Sequence, residues 1–270
     1  MIIIGEKINS TVKNVAEAIK EGSFEYIVEL AKKQYLAGAH YIDVNAGAFV
    51  DIETEVLKKM IESIQKEIDA PLSIDSPRPE VIGEVMKIYK GERAIFNSVI
   101  YEDGILSRAL PIIKEYNMKV VALLMDDVGI PDEPEKRVEI AKRLVDRLTN
   151  NGILEEDIFL DPMLQPVSVD QRYVYVALET IKLIRKEFEN VNIICGLSNV
   201  SFGLPKRRWL NRAFLPIAIY FGLNSCIADP LDDVLMKLIY AAEALSGRDE
   251  FCMEYITKAR EGFLDLKFLV

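Results

Sequence analysis

The sequence predicts a single-domain (β/α)8 barrel spanning residues 1–270, on three observations. Short apolar runs alternate with longer amphipathic ones from end to end, eight runs of the short kind occur, and no linker, composition break or low-complexity tract separates them. Barrels of this class run to roughly 250 residues as one unit, so the length suits the fold. An open doubly wound sheet would be expected to carry a glycine-rich phosphate turn after its first strand. The segment there, GEKINST, has one glycine.

The elements follow in order. The first strand is predicted at Ile2–Ile4. The helix after it covers Phe24–Ala37, where Ile27, Leu30, Ala31, Gln34 and Tyr35 keep a helical period, and Gly38 stops it. Strand two is Tyr41–Val44, followed by a helix over Thr54–Ile68 with Val56, Leu57, Met60, Ile61 and Ile64 on one face and Asp51 or Thr54 as its cap. Strand three is Leu72–Ile74, and Pro79 opens the next helix. Strands four and five are Ala94–Phe96 and Val120–Leu124, and the helix Glu135–Leu148 ends before Gly152. The sixth, seventh and eighth strands are Ile158–Leu160, Ile193–Cys195 and Ser225–Ala228, with helices over Val174–Phe188 and Asp232–Leu245. The tail Cys252–Val270 reads as a terminal helix with an apolar end formed by Phe263, Leu264, Leu266, Phe268 and Leu269. It is expected to pack outside the barrel or in a dimer contact.

Composition narrows the setting. Half of the residues are apolar, enough for a large core, and 28% are charged, as on an ordinary soluble surface. No run reaches the ~18 apolar residues of a membrane span, and MIIIGEKINS lacks a signal peptide's basic-then-apolar layout. Cys195, Cys226 and Cys252 show no CxxC spacing, and the first two lie inside strand runs as reduced core residues, so a cytoplasmic setting is expected. A net charge of −10 argues against a nucleic-acid partner, which would need a basic stripe.

Acidic or amide residues stand where one apolar run after another stops: Asp43 and Asn45 in DVNAG, Asp75 in SIDS, Asn97 in FNS, Asp161 in LDP, and Ser198 with Asn199 in GLSNVS. In a parallel barrel these positions converge on one mouth, where such folds keep their chemistry. The set excludes several reaction classes. His40 is the only histidine and stands before strand two, on the opposite, structural face, so neither a multi-imidazole metal centre nor a serine triad can be assembled. No metal site is expected. A Schiff-base aldolase needs a lysine late in a strand; Lys7 is the one candidate, since Lys119 begins its strand. Carboxylates and amides together suit a ligand rich in N–H donors. A carboxylate accepts two parallel N–H bonds from a guanidine-like edge, and an asparagine both donates and accepts. Asp75, Asn97 and Asp161 would thus point inward together and suit the 2-amino-4-oxo edge of a pterin. Individually, each is as well explained as a loop starter or helix cap.

The combination GEKIN, DVNAG, SIDS, FNS, DP and GLSNVSFGLPKRRWLNRAFL resembles the methyltetrahydrofolate–corrinoid protein methyltransferases, members of the pterin-binding barrel superfamily. The likeness covers Ile3 to about Leu245, and the GLSNVS segment with its downstream arginine and LN--FL is its specific part. The resemblance implies that Asp75, Asn97 and Asp161 hold the pterin of 5-methyltetrahydrofolate. It implies that Asn199 lies near N5 and assists methyl transfer, with Gly196 and Ser198 flanking it. Arg207, in the basic loop KRR, matches a position near the folate tail or the corrinoid.

The resemblance further implies a homodimer and a cobalamin-type corrinoid supplied by a partner protein, since corrinoid and zinc–thiol modules of the methionine synthase kind are absent. Dihydropteroate synthase would show a GFGK-like stretch after the Asp-Pro of strand six and a basic K-x-R at the last strand. Here MLQPVSVD follows Asp161–Pro162, and strand eight ends CIADP. The direction of methyl transfer stays open, and a non-catalytic folate binder is the reading from another class. An intact Asn199 speaks against the binder, which has no need of the N5 contact. Docking of a partner requires a mouth without a lid, rimmed by the loops Ala46–Glu53 and Met125–Glu135. Asp43 and Asn45 carry no assigned role.

Overall fold

The computed structural model describes residues 1–265. Eight parallel strands close into a barrel in sequence order: β1 (Ile2–Asn9), β2 (Tyr41–Asn45), β3 (Leu72–Asp75), β4 (Ile95–Tyr101), β5 (Lys119–Asp126), β6 (Ile158–Asp161), β7 (Asn192–Gly196) and β8 (Ser225–Ala228). Helices wrap it: α1 (Lys13–Glu21), α2 (Phe24–Leu36), α3 (Glu53–Gln65), α4 (Pro79–Met86), α5 (Asp103–Glu115), α6 (Pro134–Thr149), α7 (Arg172–Glu187), α8 (Arg207–Phe221), α9 (Asp233–Leu245) and α10 (Met253–Arg260). The predicted barrel is the observed one.

Differences from the predicted elements have local causes. β1 continues to Asn9 because a register shift against β2 between Gly5 and Ile8 lets the polar KIN segment stay paired. β4 likewise runs on through Asn97, with two register irregularities against β5; the Asn97–Ser98 peptide is cis. Neither Asp51 nor Thr54 caps α3. A 3-10 turn, Val50–Ile52, leads into it, and Glu53 in its first turn is buried against Arg78, whose Nε donates at 2.9 Å. α9 is capped by Asp232, which accepts from the Leu235 N–H at 3.2 Å. Gly38 and Gly152 stop their helices in the left-handed region, at φ 99° and 87°. Among the described residues of the tail, the α-helix covers Met253–Arg260, and Phe263 packs edge-on against Tyr240 of α9. Leu266, Phe268 and Leu269 lie outside the described residues.

Two cores form. The larger lies between barrel and helices, built from the outward residues of the strands (Ile3, Ile42, Val44, Ile74, Phe96, Val120) and the apolar faces of the helices. The second fills the barrel: Ile4, Ile95, Val121, Phe159 and Ile194, with Ile2, Tyr41, Leu123 and Ile227 against them. Side chains alternate along a strand, so the residue two steps on faces inward again. Two steps beyond Tyr41, Ile95, Phe159 and Ile194 stand Asp43, Asn97, Asp161 and Gly196. The same inward columns therefore change from apolar at the base to polar at the carboxyl ends of the strands.

Among the described residues, no helix is long and apolar enough to cross a membrane.

Candidate functional site

At the carboxyl end of the barrel the polar layer is locked by its own hydrogen bonds. Register places Asp43 beside Ser73, Asn45 beside Asp75, and Asp75 beside Asn97. Ser73 Oγ donates to Asp43 Oδ1 at 2.7 Å, and Asn97 Nδ2 donates to the same oxygen at 3.1 Å. Asn45 Nδ2 donates to Asp75 Oδ2 at 2.9 Å. Asn45 Oδ1 in turn accepts from Ser10 Oγ at 3.1 Å and Gly47 N–H at 3.0 Å, tying the ends of β1 and β2 together. Across the barrel, Asp161 Oδ1 accepts from the Met163 N–H at 2.8 Å.

Each of the three predicted ligand-holding residues thus keeps one acceptor without a protein donor among the described residues: Asp75 Oδ1, Asn97 Oδ1 and Asp161 Oδ2. Asp43 fixes which way the Asn97 amide faces, because its carboxylate takes the NH2 side and leaves the carbonyl side free. Three such acceptors converging on one opening fit an edge that presents N–H donors, as the amino-lactam edge of a pterin does.

Burial dominates the electrostatics. Asp43 is 4% exposed, and burial together with the charge of Asp75 pushes its pKa well above the usual carboxylate range. Burial raises Asp75 to about 6 against the opposing bond from Asn45. It raises Asp161 to about 6 against the Met163 N–H and the charge of Arg137. Glu6, within β1, is also raised by burial, opposed by a bond from Ser198 Oγ at 2.8 Å and aided by Asp229. Perturbed carboxyl groups gathered at one end of the barrel mark a candidate functional site.

The GLSNVS segment leaves β7 as a 3-10 turn, Leu197–Asn199. Asn199 is exposed at the mouth, and a Cβ on Gly196 would come within 3.1 Å of its Nδ2, so glycine leaves room for that side chain. The Asn199 amide has no side-chain hydrogen bond to the described residues. Arg207 folds back on the turn: Nε donates to Ser201 Oγ at 3.1 Å, Nη2 reaches the Ser198 carbonyl, and the guanidinium lies over Phe202. A cleft lined by Glu6, Lys7, Ser198, Arg207, Arg208 and Asp229 opens beside it. Lys7 is paired with Asp229 at 3.0 Å.

The barrel therefore brings Asp75, Asn97, Asp161, Gly196, Ser198, Asn199 and Arg207 to one end. His40 lies at the other, accepting on Nδ1 from the Ile3 N–H at 3.1 Å. Cys195 and Cys226 are buried at paired positions of β7 and β8, and Cys252 is exposed. Sequence reading missed Glu6, Ser73 and the roles of Asp43 and Asn45. The usable signal was the period of two, since Glu6 lies two residues beyond the inward Ile4 and Asp43 two beyond Tyr41.

Comparison with known proteins settles the family. A family model described as pterin binding enzyme matches residues 5–229. The methylcorrinoid:tetrahydrofolate methyltransferase of Eubacterium limosum is 36% identical over 264 residues, covering 97% of both chains. The chain belongs to the folate–corrinoid methyltransferases of the pterin-binding enzyme family. Methionine synthase of Mycobacterium tuberculosis is 30% identical over 240 residues, which are 84% of this pterin-binding enzyme but 20% of that protein. Two solved structures share the fold at 18% identity. The dihydropteroate synthase of Coxiella burnetii, in complex with pteroic acid, superposes with a TM-score of 0.69 over 92% of this chain and 94% of that one. The Yersinia pestis counterpart, with a pterine-sulfa conjugate, gives 0.66 over 92% and 93%.

Proposed function

We propose that this enzyme moves a methyl group between N5 of 5-methyltetrahydrofolate and the cobalt of a corrinoid carried by a partner protein. The observation that carries the reading is the trio of unpaired acceptors on Asp75, Asn97 and Asp161, held in place by Asp43, Asn45 and Met163. They receive the pterin's amino-lactam edge and orient N5 toward Asn199. The corrinoid, when docked, supplies the metal centre that accepts or donates the methyl group.

The protein's own contribution is at N5. A tertiary amine is a poor leaving group, so N5 must gain positive character before its methyl leaves. The Asn199 amide, free of side-chain bonds to the described residues, strengthens its hydrogen bond to N5 as that charge develops, which is stabilisation specific to the transition state. Ser198 anchors the turn through Glu6, and Gly196 leaves the space in which the Asn199 side chain lies. Arg207 braces the same turn, and its Nη1, free of protein acceptors among the described residues, faces the folate tail or the partner.

Direction is the second reading. The Eubacterium limosum relative is named for transfer from a methylcorrinoid to tetrahydrofolate, which favours that direction in the cell; one site serves both. A homodimer is supported by an exposed apolar stripe on α8, Trp209, Ala213, Ile217 and Tyr220, and the free thiols of Cys195, Cys226 and Cys252 support a reducing, cytoplasmic setting. The test is spectroscopic. Mixing the enzyme with methyltetrahydrofolate and a reduced corrinoid protein should produce methylcobalt absorbance bands, and the reverse mixture should consume them. Binding of folate with no spectral change in either mixture would make the chain a folate binder.

A further inference from the structure

Arg137, on α6, is the largest side chain buried completely in the described structure, and its four acceptors are all neutral. Nε donates to the Pro131 carbonyl at 2.8 Å, Nη1 to the carbonyls of Pro162 and of Met163, the latter at 3.1 Å, and Nη2 to Gln165 Oε1 at 3.1 Å. No carboxylate among the described residues pairs with it. A guanidinium stripped of water and without a direct ion pair among the described residues is an expensive way to fill space, and an apolar residue of similar volume serves a fold as well or better. Its contacts indicate another use.

Three of the four acceptors belong to the turn that follows β6, immediately after Asp161. Within that turn Met163 stands at φ 60°, in the left-handed region that a side chain disfavours and that persists only when neighbours impose it. Bonds from Arg137 to the carbonyls of Pro162 and Met163, which flank the Met163 Cα, and to the next polar side chain, impose it. The Met163 N–H is thereby aimed at Asp161 Oδ1, which leaves Oδ2 without a protein donor among the described residues. The fourth acceptor, Pro131, lies in the rim loop after β5, so one guanidinium joins two neighbouring rim loops.

We propose that Arg137 is a positioning residue for folate binding, acting through the Pro162–Met163 turn to hold the Asp161 carboxylate in its ligand-accepting orientation. The proposal rests on the reading of Asp161 as a pterin acceptor, and its test separates the two. Equilibrium binding of tetrahydrofolate is measured for the unmodified enzyme, Asp161→Asn, Arg137→Lys, Arg137→Gln, and Arg137→Lys combined with Asp161→Asn. Initial rates against methyltetrahydrofolate are measured with reduced free cobalamin as acceptor.

Asp161→Asn should weaken binding by about 10- to 100-fold, the scale of a hydrogen bond to a charged group. Arg137→Lys should weaken it by about tenfold, and the double variant should be no weaker than Asp161→Asn alone, because both changes act on one contact. KM for folate should rise in Arg137→Lys with kcat within about twofold of the unmodified enzyme. A purely structural role would instead lower kcat through loss of folded enzyme and leave KM and the dissociation constant of the remainder unchanged. That split reads out even where Arg137→Gln folds poorly. Unchanged binding in Arg137→Lys, or a loss that adds in full to that of Asp161→Asn, overturns the proposal. Unchanged binding in Asp161→Asn removes the pterin-acceptor reading itself.

Discussion

Asp75 and Asp161 illustrate what burial of a single carboxyl group at the mouth costs in stability. Both titrate near pH 6 because burial disfavours their charge. The folded state therefore holds protons between about pH 4 and pH 6 that the unfolded chain has released, so each contribution to stability falls as pH rises through that window. A displacement of this size corresponds to about 3 kcal/mol per group as an upper bound. Asp75→Asn is thus expected to raise the melting temperature at pH 7.5 and to leave it nearly unchanged at pH 4, as read by calorimetry across that range. A gain of equal size at both pH values would contradict the burial cause. Asn199 differs, being exposed and without side-chain bonds to the described residues, so loss of its amide should leave stability alone. Asn199→Ala should lower kcat by roughly 30- to 1000-fold, the cost of one transition-state hydrogen bond of about 2–4 kcal/mol. Single-turnover methyl transfer with bound folate measures it, and an unchanged rate sinks the role given to this amide.

Between elements, the contact of α2 with β1 decides how the mouth is fed from its first strand. Gly5 faces Gln34 of α2, and a Cβ there would stand 2.6 Å from Oε1, the atom that accepts from the Lys7 N–H at 2.9 Å. That buried amide holds the irregular part of β1, the segment that carries Glu6 inward and Lys7 to Asp229. Gly5→Ala should destabilise the protein by about 1–3 kcal/mol through overpacking. Denaturant unfolding would show it, and a variant as stable as the parent would mean that α2 yields without loss. The period of two along β2, β3 and β6 was legible from residues such as Asp43, Asp75 and Asp161. The continuation of β1 and β4 was not, since KIN and NSVIY read locally as loop starts until neighbouring strands pair with them.

For the whole molecule, the loops at the open end carry isolated exposed apolar residues around the site: Val12, Val50, Val128, Val169, Phe202 and Leu231, with Val128 92% and Phe202 64% exposed. They follow β1, β2, β5, β6, β7 and β8, so they encircle the opening through which a corrinoid would reach N5. A charged residue at such a position should penalise docking and leave the pocket below intact. Phe202→Glu combined with Val128→Glu is expected to reduce kcat/KM for a corrinoid protein at least tenfold, roughly 1.4 kcal/mol, while folate affinity stays within twofold. Loss of folate affinity in equal measure would place these residues in the pocket instead.

The order of strands and helices, and the residues that end the strands, were determined by the sequence itself, because apolar periodicity is a local property and a parallel barrel has only one mouth. Asp75, Asn97 and Asp161 were therefore legible as a group. What only the tertiary structure decided is which oxygen of each remains free. Asp43 claims the Asn97 amide, Asn45 claims one oxygen of Asp75, and Met163, clamped by Arg137, claims one of Asp161. Those pairings join residues up to 54 positions apart. Hydrogen bonds between strands exist only once register and closure bring their ends together.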